Sequence, residues 1–241
     1  MRLMMMHRTE PKWERGELPS PELIAGMGAL MADMQQAGVL LAGEGLRSSS
    51  LGVRLDFSGG TRTVTRGPFT PGNELPAGFA ILRTRSLEEA VAWSTRFAEL
   101  IGDVQVDIRP MTEAWDLGMV PRPAGLSTTR YMAVHKATAA SESGVPPAPE
   151  MLERMGRLIE EMAAAGVLLA AEGLTPSAQG LRLRFRGGKR TVTDGPFAES
   201  KELIAGFVML QLRKIEDALP WANRFAACTG DVELDIRPLA D

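Results

Sequence analysis

The sequence predicts an α+β protein in which two ferredoxin-like units pack against each other within one chain. Two observations carry this prediction. The chain repeats itself without a gap at a shift of 128 positions, and each repeat shows the same succession of short strands and two helices. The length of 241 residues provides room for two domains of about 100–120 residues each.

The repeat pairs residues 1–111 with 129–239, and roughly half of the paired positions are identical. Matched pairs include His7 and His135, Glu44 and Glu172, Gly67-Pro68-Phe69 and Gly195-Pro196-Phe197, and Asp107 and Asp235. A solenoid repeat is only about 20–50 residues long, whereas each of these units is long enough to form a hydrophobic core of its own. We therefore predict a first domain at 1–111, a linker at 112–128 and a second domain at 129–241.

The elements are clearest in the second repeat. Apolar residues recur there at helical spacing over 150–165, and leucine and phenylalanine alternate with arginine over 181–186, which is typical of a strand. Gly187-Gly188 then predicts a hairpin. The predicted strands are 130–135, 167–171, 181–186, 189–193, 204–212 and 232–236, and the predicted helices are 150–165 and 214–227, with Pro220 in the first turns of the second helix. The order β-α-β-β-β-β-α-β is a ferredoxin-like βαββαβ unit with an inserted hairpin.

Such a sheet carries helices on one face and needs a cover on the other. Two equivalent units can bury these faces against each other, as the subunits of a homodimer do. We therefore expect a pseudo-dimer within the chain. A further homodimer of the whole chain stays open.

Composition excludes several classes of protein. The net charge is −3 and acids are interspersed with bases, which disfavours nucleic-acid binding. No apolar run approaches the ~20 residues of a membrane span, and the run before His7 is too short for a signal peptide. Two histidines and one cysteine, Cys228, make no metal pattern, and no glycine-rich phosphate loop is present. We expect a cytoplasmic protein without membrane contact, metal or cofactor.

Four ordered motifs resemble the YCII-related proteins, and more closely the subgroup named for its DGPFAETKE loop. They are GVLLAAEGL at 166–174, RTVTDGPFAESKE at 190–202, IAGFVMLQL at 204–212 and GDVELDIRPL at 230–239. The resemblance covers both repeats. It implies a dimeric α+β barrel of ferredoxin-like units, a genomic association with extracytoplasmic-function sigma factors, and a site formed by a histidine and an acid near the cleft between the sheets. Some relatives act as lyases or dehydrochlorinases on ring compounds.

The candidate catalytic residues follow from histidine's acid–base chemistry near neutral pH. His135 is paired in this hypothesis with Asp194 or with Glu172, the acid orienting or charging the imidazole. His7 and Glu44 are the equivalents in the first repeat, where the site is expected to be degenerate. The structural alternatives are that the histidines cap strands or hydrogen-bond a loop and that Asp194 caps a turn. For the glutamates, the alternatives are a helix cap or a salt bridge, with Arg182 or Arg54 as the expected partner.

The Gly-Pro-Phe loop differs between the repeats. Arg66 stands where Asp194 stands in the second repeat, and it could bind an anion or pair with a carboxylate. The second copy also carries Glu199 and Lys201. Arg182 could hold a substrate carboxylate through two hydrogen bonds, or be ion-paired. For Asp235 and Arg237, on the last strand, we expect a structural pair.

Two functions stay open on the sequence. The first is a small-molecule enzyme of the lyase or isomerase type that uses a histidine–acid pair in a cleft. The second is a non-catalytic ligand-binding or regulatory module, linked to a sigma-factor system by the resemblance alone. A small-molecule ligand is the expected partner in the first case.

Overall fold

The structure, a computed structural model, describes residues 1–197 and 201–240. The first half contains β1 (Arg2–Arg8), α1 (Pro11–Glu14), α2 (Pro21–Gln36), β2 (Leu40–Gly45), β3 (Val53–Ser58), β4 (Thr61–Arg66), β5 (Pro76–Thr84), α3 (Leu87–Ile101) and β6 (Val104–Pro110). The second half contains β7 (Thr129–Lys136), α4 (Ala139–Glu142), α5 (Pro149–Ala164), β8 (Leu168–Gly173), β9 (Leu181–Arg186), β10 (Lys189–Asp194), β11 (Ile204–Gln211), α6 (Leu219–Thr229) and β12 (Val232–Pro238). Both halves keep the predicted order, with one short helix added after the first strand.

The helix boundaries follow from local chemistry. Helix α5 covers the predicted 150–165 within one residue, and Pro149 begins it because a proline at the first position has no N–H to lose. The predicted helix over 214–227 is wrong at its start, where Ile215–Ala218 forms a 3₁₀ turn. Helix α6 begins only at Leu219, with Pro220 in its first turn, since a proline cannot donate the hydrogen bond that an interior position requires.

The two sheets do not follow the boundary between the halves. Sheet one has the strand order β10-β9-β12-β1-β11-β2, and sheet two has the order β4-β3-β6-β7-β5-β8. Each sheet is therefore six-stranded and antiparallel, with four strands from one half and two from the other. Strand β1 lies between two strands of the second half, with Met5 opposite both Val208 and Ile236. The halves have exchanged their first two strands.

The sheets pack face to face, and helices cover their outer faces. The core between the sheets includes Met4 and Met6 of sheet one and Phe79 and Met132 of sheet two. The core under α2 and α6 covers sheet one, and the core under α3 and α5 covers sheet two. Both faces of the central strands are therefore buried, which explains why residues 3–6 of β1 are all apolar.

The alternation of side chains along a strand decides which way the polar residues point. In β1, Leu3 and Met5 point into the core under α2 and α6, whereas Met4 and Met6 point into the core between the sheets. His7 consequently faces the helices, and the next residue, Arg8, faces the other sheet. The same alternation in β7 separates His135 from Lys136.

The Gly-Pro-Phe turns are structural. A Cβ on Gly67 would lie 1.8 Å from the carbonyl oxygen of Ser49, so only glycine fits. The Ser49 hydroxyl accepts a hydrogen bond from the N–H of Phe69 (3.0 Å), and the phenylalanine ring is buried beneath Arg54. Gly195 and Ser177 repeat the arrangement in the second half.

Candidate functional site

The two histidines occupy equivalent apolar notches on the helix side of the sheets. The His135 ring packs on Phe97 of α3, with ring centroids 5.2 Å apart, and it lies over Gly78 of the neighbouring strand. A Cβ on Gly78 would come within 2.5 Å of the imidazole Cε1. The His7 ring packs in the same way on Phe225, at 5.1 Å. Each glycine therefore leaves the space that the imidazole ring occupies.

Burial controls the charge of these rings. Desolvation lowers the pKa of His135 to about 4, and mainly the same cause lowers the pKa of His7 to about 4. Both imidazoles are therefore neutral at pH 7. Within the part of the chain that the structure describes, no carboxylate forms a hydrogen bond or ion pair with His135.

The structure does not bring Asp194 and His135 together. Asp194 ends β10, an exposed edge strand of sheet one, whereas His135 belongs to sheet two. His7 does share sheet one with Asp194, but two strands separate β10 from β1, which places the residues about 14 Å apart or more. Glu199, the other acid of this loop, lies outside the described residues.

The two glutamates at the strand ends join the sheets by salt bridges. Glu172 of sheet two accepts a hydrogen bond from Arg2 of sheet one at 2.5 Å. Glu44 of sheet one pairs with Arg130 of sheet two at 2.7 Å, and Arg130 also binds Glu113 in the linker. A salt bridge was one of the structural alternatives for both glutamates, but the partners are Arg2 and Arg130 and not Arg182 or Arg54. Neither contacts a histidine side chain through a hydrogen bond or ion pair in residues 1–197 and 201–240.

The two arginine candidates have different surroundings. Arg66 lies at the surface, where it pairs with Glu88 at 3.1 Å, and both side chains are about 70% exposed. Arg182 is buried between the sheets, donates from Nε and Nη2 to Asp235 at 2.7 and 2.9 Å, and lies over the Phe197 ring. Only Arg182 belongs to an internal polar site.

A buried network of charged side chains lies between the sheets, which the sequence reasoning missed as a unit. We call it the polar end, and its members are Arg8, Arg54, Glu74, Asp107, Lys136, Arg182, Glu233 and Asp235. In its first-half group, Arg54 donates to Asp107 from Nε (2.6 Å) and to Glu74 from Nη2 (3.0 Å). Lys136 pairs with both carboxylates, at 2.8 Å from Asp107.

The second-half group repeats this design with other residues. Asp235 replaces Asp107 and accepts from both Arg182 and Arg8. The Nη1 of Arg8 also donates to the carbonyl oxygens of Glu74 and Glu202, both at 3.1 Å. Because Glu74 belongs to the other group, Arg8 ties the two groups into one network.

Asp107 and Asp235 remain ionised in this setting. Burial alone would raise the pKa of Asp107, but the charge of Lys136 and the hydrogen bonds from Arg54 hold that pKa below its usual value. The pKa of Asp235 is likewise lowered against burial, by the charge of Arg8 and by Arg182. The expected structural pair of Asp235 with Arg237 is replaced by these partners, and Arg237 pairs with Glu142.

A small cavity borders the polar end. Its volume is about 10 Å³, enough for one water molecule. Asp107, Arg109 and Lys136 line it from sheet two, and Ile204 of β11 and the preceding Leu203 line it from the side of sheet one. The sequence carried one signal for this site. A basic residue follows the histidine in both repeats, and strand alternation turns it toward the opposite face.

The described residues contain neither a metal-binding cluster nor a membrane-spanning helix. Over residues 1–197 and 201–240, no group of three or more histidine, cysteine or acidic side chains is placed to hold a metal ion. Over the same residues, no helix has the length and apolarity needed to cross a membrane.

Comparison with known proteins identifies a domain family that matches the chain twice. A model of the YCII-related domain matches residues 1–109 and again residues 129–237. The chain is also similar to the uncharacterized protein R00369 of Rhizobium meliloti (strain 1021), with 37% identity over 79 residues. That match covers 32% of this chain and 62% of the relative, so the chain spans less than two thirds of the relative's length.

Proposed function

We propose that this chain, which belongs to the YCII-related domain family, is a small-molecule-binding protein whose ligand site is the polar end. The observation that supports this is the burial of eight charged side chains from both halves between the sheets. Burying an ion costs several kcal/mol, and apolar replacements of buried ion pairs are often as stable. Stability alone is therefore a weak reason to place this network inside the protein, and perturbed ionisable groups cluster at functional sites.

The test is a thermal-shift screen with small metabolites, repeated on variants. A ligand that stabilises the wild-type protein is expected to lose most of its effect in Arg8→Met or in Lys136→Met, after circular dichroism has shown each variant to be folded. Arg85→Gln is the matched control, since Arg85 is 80% exposed and pairs with Glu89 on a helix. Equal stabilisation of all four proteins by every ligand would refute the proposal.

A second candidate function is catalysis at His135, of the lyase or isomerase type. It is supported by an imidazole that is half-buried and neutral at pH 7, and that has no hydrogen-bond partner within the described residues. Such a nitrogen can accept a proton from a substrate carbon or hydroxyl. If His135→Gln removes turnover of a substrate and His7→Gln does not, the second half is the active one. Unchanged turnover in His135→Gln would exclude this candidate.

The finer family assignments are also proposals. We propose that the chain belongs to the DGPFAETKE-loop subgroup, on the motif at 190–202, and that the paired sheets are a dimeric α+β barrel of ferredoxin-like units. A regulatory link to a sigma factor and a cytoplasmic location rest on the resemblance and on composition. Capture of a sigma factor by the purified protein would support the regulatory link, and a pull-down without one would count against it.

A further inference from the structure

Strands β4 and β10 each leave one edge of a sheet unpaired. Each lies at the end of the strand order of its sheet, and all six residues of each strand are exposed. Both contain the segment Arg-Thr-Val-Thr, at 62–65 and 190–193, so neither has a charge, a proline or a glycine at its centre. An edge of this kind can pair with a strand of another chain unless charges prevent it.

The backbone of β10 has hydrogen-bonding groups that β9 does not use. The residue pair that closes the two-residue turn at 187–188 is hydrogen-bonded, and such pairs then alternate with non-hydrogen-bonded pairs along the two strands. Gly195 fits this alternation, since its N–H donates to the carbonyl oxygen of Gly180 at 3.1 Å. The N–H and C=O groups of every second residue of β10 therefore point toward the free edge. These residues are Arg190, Val192 and Asp194.

Charge makes the β10 edge complementary to itself. In an antiparallel pair of two β10 strands centred on Val192, Arg190 of each strand lies opposite Asp194 of the other, and Thr191 lies opposite Thr193. Opposite charges and paired threonines both stabilise cross-strand neighbours. In the same register, the residues whose backbone groups point to the free edge lie opposite each other, so they exchange hydrogen bonds across the pair.

Neither charge is neutralised within its own chain. Over residues 1–197 and 201–240, Asp194 has no hydrogen bond or ion pair, and Arg190 donates only to the amide oxygen of Asn223, at 2.8 Å. Val192 is apolar, yet it is 40% exposed. All three side chains lie on the helix side of sheet one, where Val192 is opposite the core residue Leu183 of β9. A second β10 strand would give both charges a partner and would cover Val192.

The equivalent edge of the first half has the opposite property. Strand β4 carries Arg66 where β10 carries Asp194, so two β4 strands centred on Val64 would place Arg62 opposite Arg66 at both ends. Like charges directly opposite each other destabilise a strand pair. Arg66 therefore protects its edge from pairing, and Asp194 removes that protection from the second-half edge.

We propose that β10 is a homodimerisation surface, at which two copies of the chain join their copies of sheet one into a continuous antiparallel sheet through Arg190, Val192 and Asp194. The interface is isologous, because the same strand serves both copies about a two-fold axis at Val192. It is independent of the ligand proposed for the polar end. The difference between Asp194 and Arg66 decides which edge of the chain associates.

Exchange of the charges at the two ends of the pair tests this surface. Sedimentation velocity over a concentration series should show a reversible dimer for the wild-type protein. Asp194→Arg and Arg190→Asp should each weaken dimerisation about tenfold or more, because both ends of the pair then carry like charges. A mixture of these two variants should restore the dimer, since their charges are opposite again. Arg85→Gln, which changes an exposed arginine next to α3, should dimerise as the wild type does.

A proline distinguishes strand pairing from a general attraction between charges. Because the N–H of Val192 points to the free edge, Val192→Pro keeps the hydrogen bonds between β9 and β10 and removes the donor at the centre of the dimer. It should abolish the dimer while circular dichroism shows the wild-type fold. If this variant does not fold, the charge variants still decide. A wild-type protein that is monomeric at every concentration, a dimer that survives Asp194→Arg, or a mixture of the two charge variants that stays monomeric would overturn the inference.

Discussion

Acid should destabilise the protein through its two histidines well before the buried Asp107 and Asp235 titrate. Each imidazole has a pKa of about 4 in the folded chain, against 6.5 for an unburied histidine. The unfolded chain therefore binds more protons between these values, so stability is complete above pH 6.5 and falls as the pH drops towards 4. Linkage gives a loss of about 2 kcal/mol per histidine at pH 5 and about 3 kcal/mol at pH 4. These are upper values, since each ring keeps partial exposure.

The two buried aspartates do not interfere in this window. The pKa values of Asp107 and Asp235 lie below the usual 3.8, so their stabilising effect is lost only at lower pH. Urea unfolding followed by tryptophan fluorescence at pH 7, 6, 5 and 4 measures the free energy of unfolding. The double variant His7→Gln/His135→Gln should show a much flatter pH dependence whatever its stability at pH 7. A pH dependence as steep as that of the wild type would refute the reasoning.

Three further outcomes are expected. Lys136→Met should lower the free energy of unfolding in urea by about 3–5 kcal/mol, because the buried Glu74 and Asp107 lose a partner. Lys136→Arg should lower it little, since arginine stands at the equivalent position 8. Equal losses in the two variants would contradict this. Gly78→Ala should destabilise by about 1–3 kcal/mol, because the new Cβ would meet His135, and a wild-type melting temperature would contradict it. Cutting the chain within the linker at 120–125 should leave one complex on size-exclusion chromatography, because each sheet contains strands of both halves; two separately folded halves would contradict it.

The candidate site was only partly predictable. The sequence named Arg182, His135 and His7, and the structure places the first in the polar end and the other two in apolar notches. Glu74 and Lys136 were missed because their importance depends on contacts between a loop, β3, β6 and β7, whose sequence separations reach 62 residues. Separations of that kind leave no local pattern in a single sequence.

The sequence by itself determined the succession of elements in each half, the family and the place of the Gly-Pro-Phe turns. Helix α5, for example, follows from apolar spacing and from a proline at its start, which are local properties. Only the tertiary structure decided which strands of the other half each strand pairs with. Strands β1 and β7 are repeat equivalents with the same alternation, so either could lie between β11 and β12 with similar contacts. Pairing preferences along a strand do not distinguish two partners that share the same alternation. The path of the chain through space makes that choice, and it places Arg8 of the first half against Asp235 of the second.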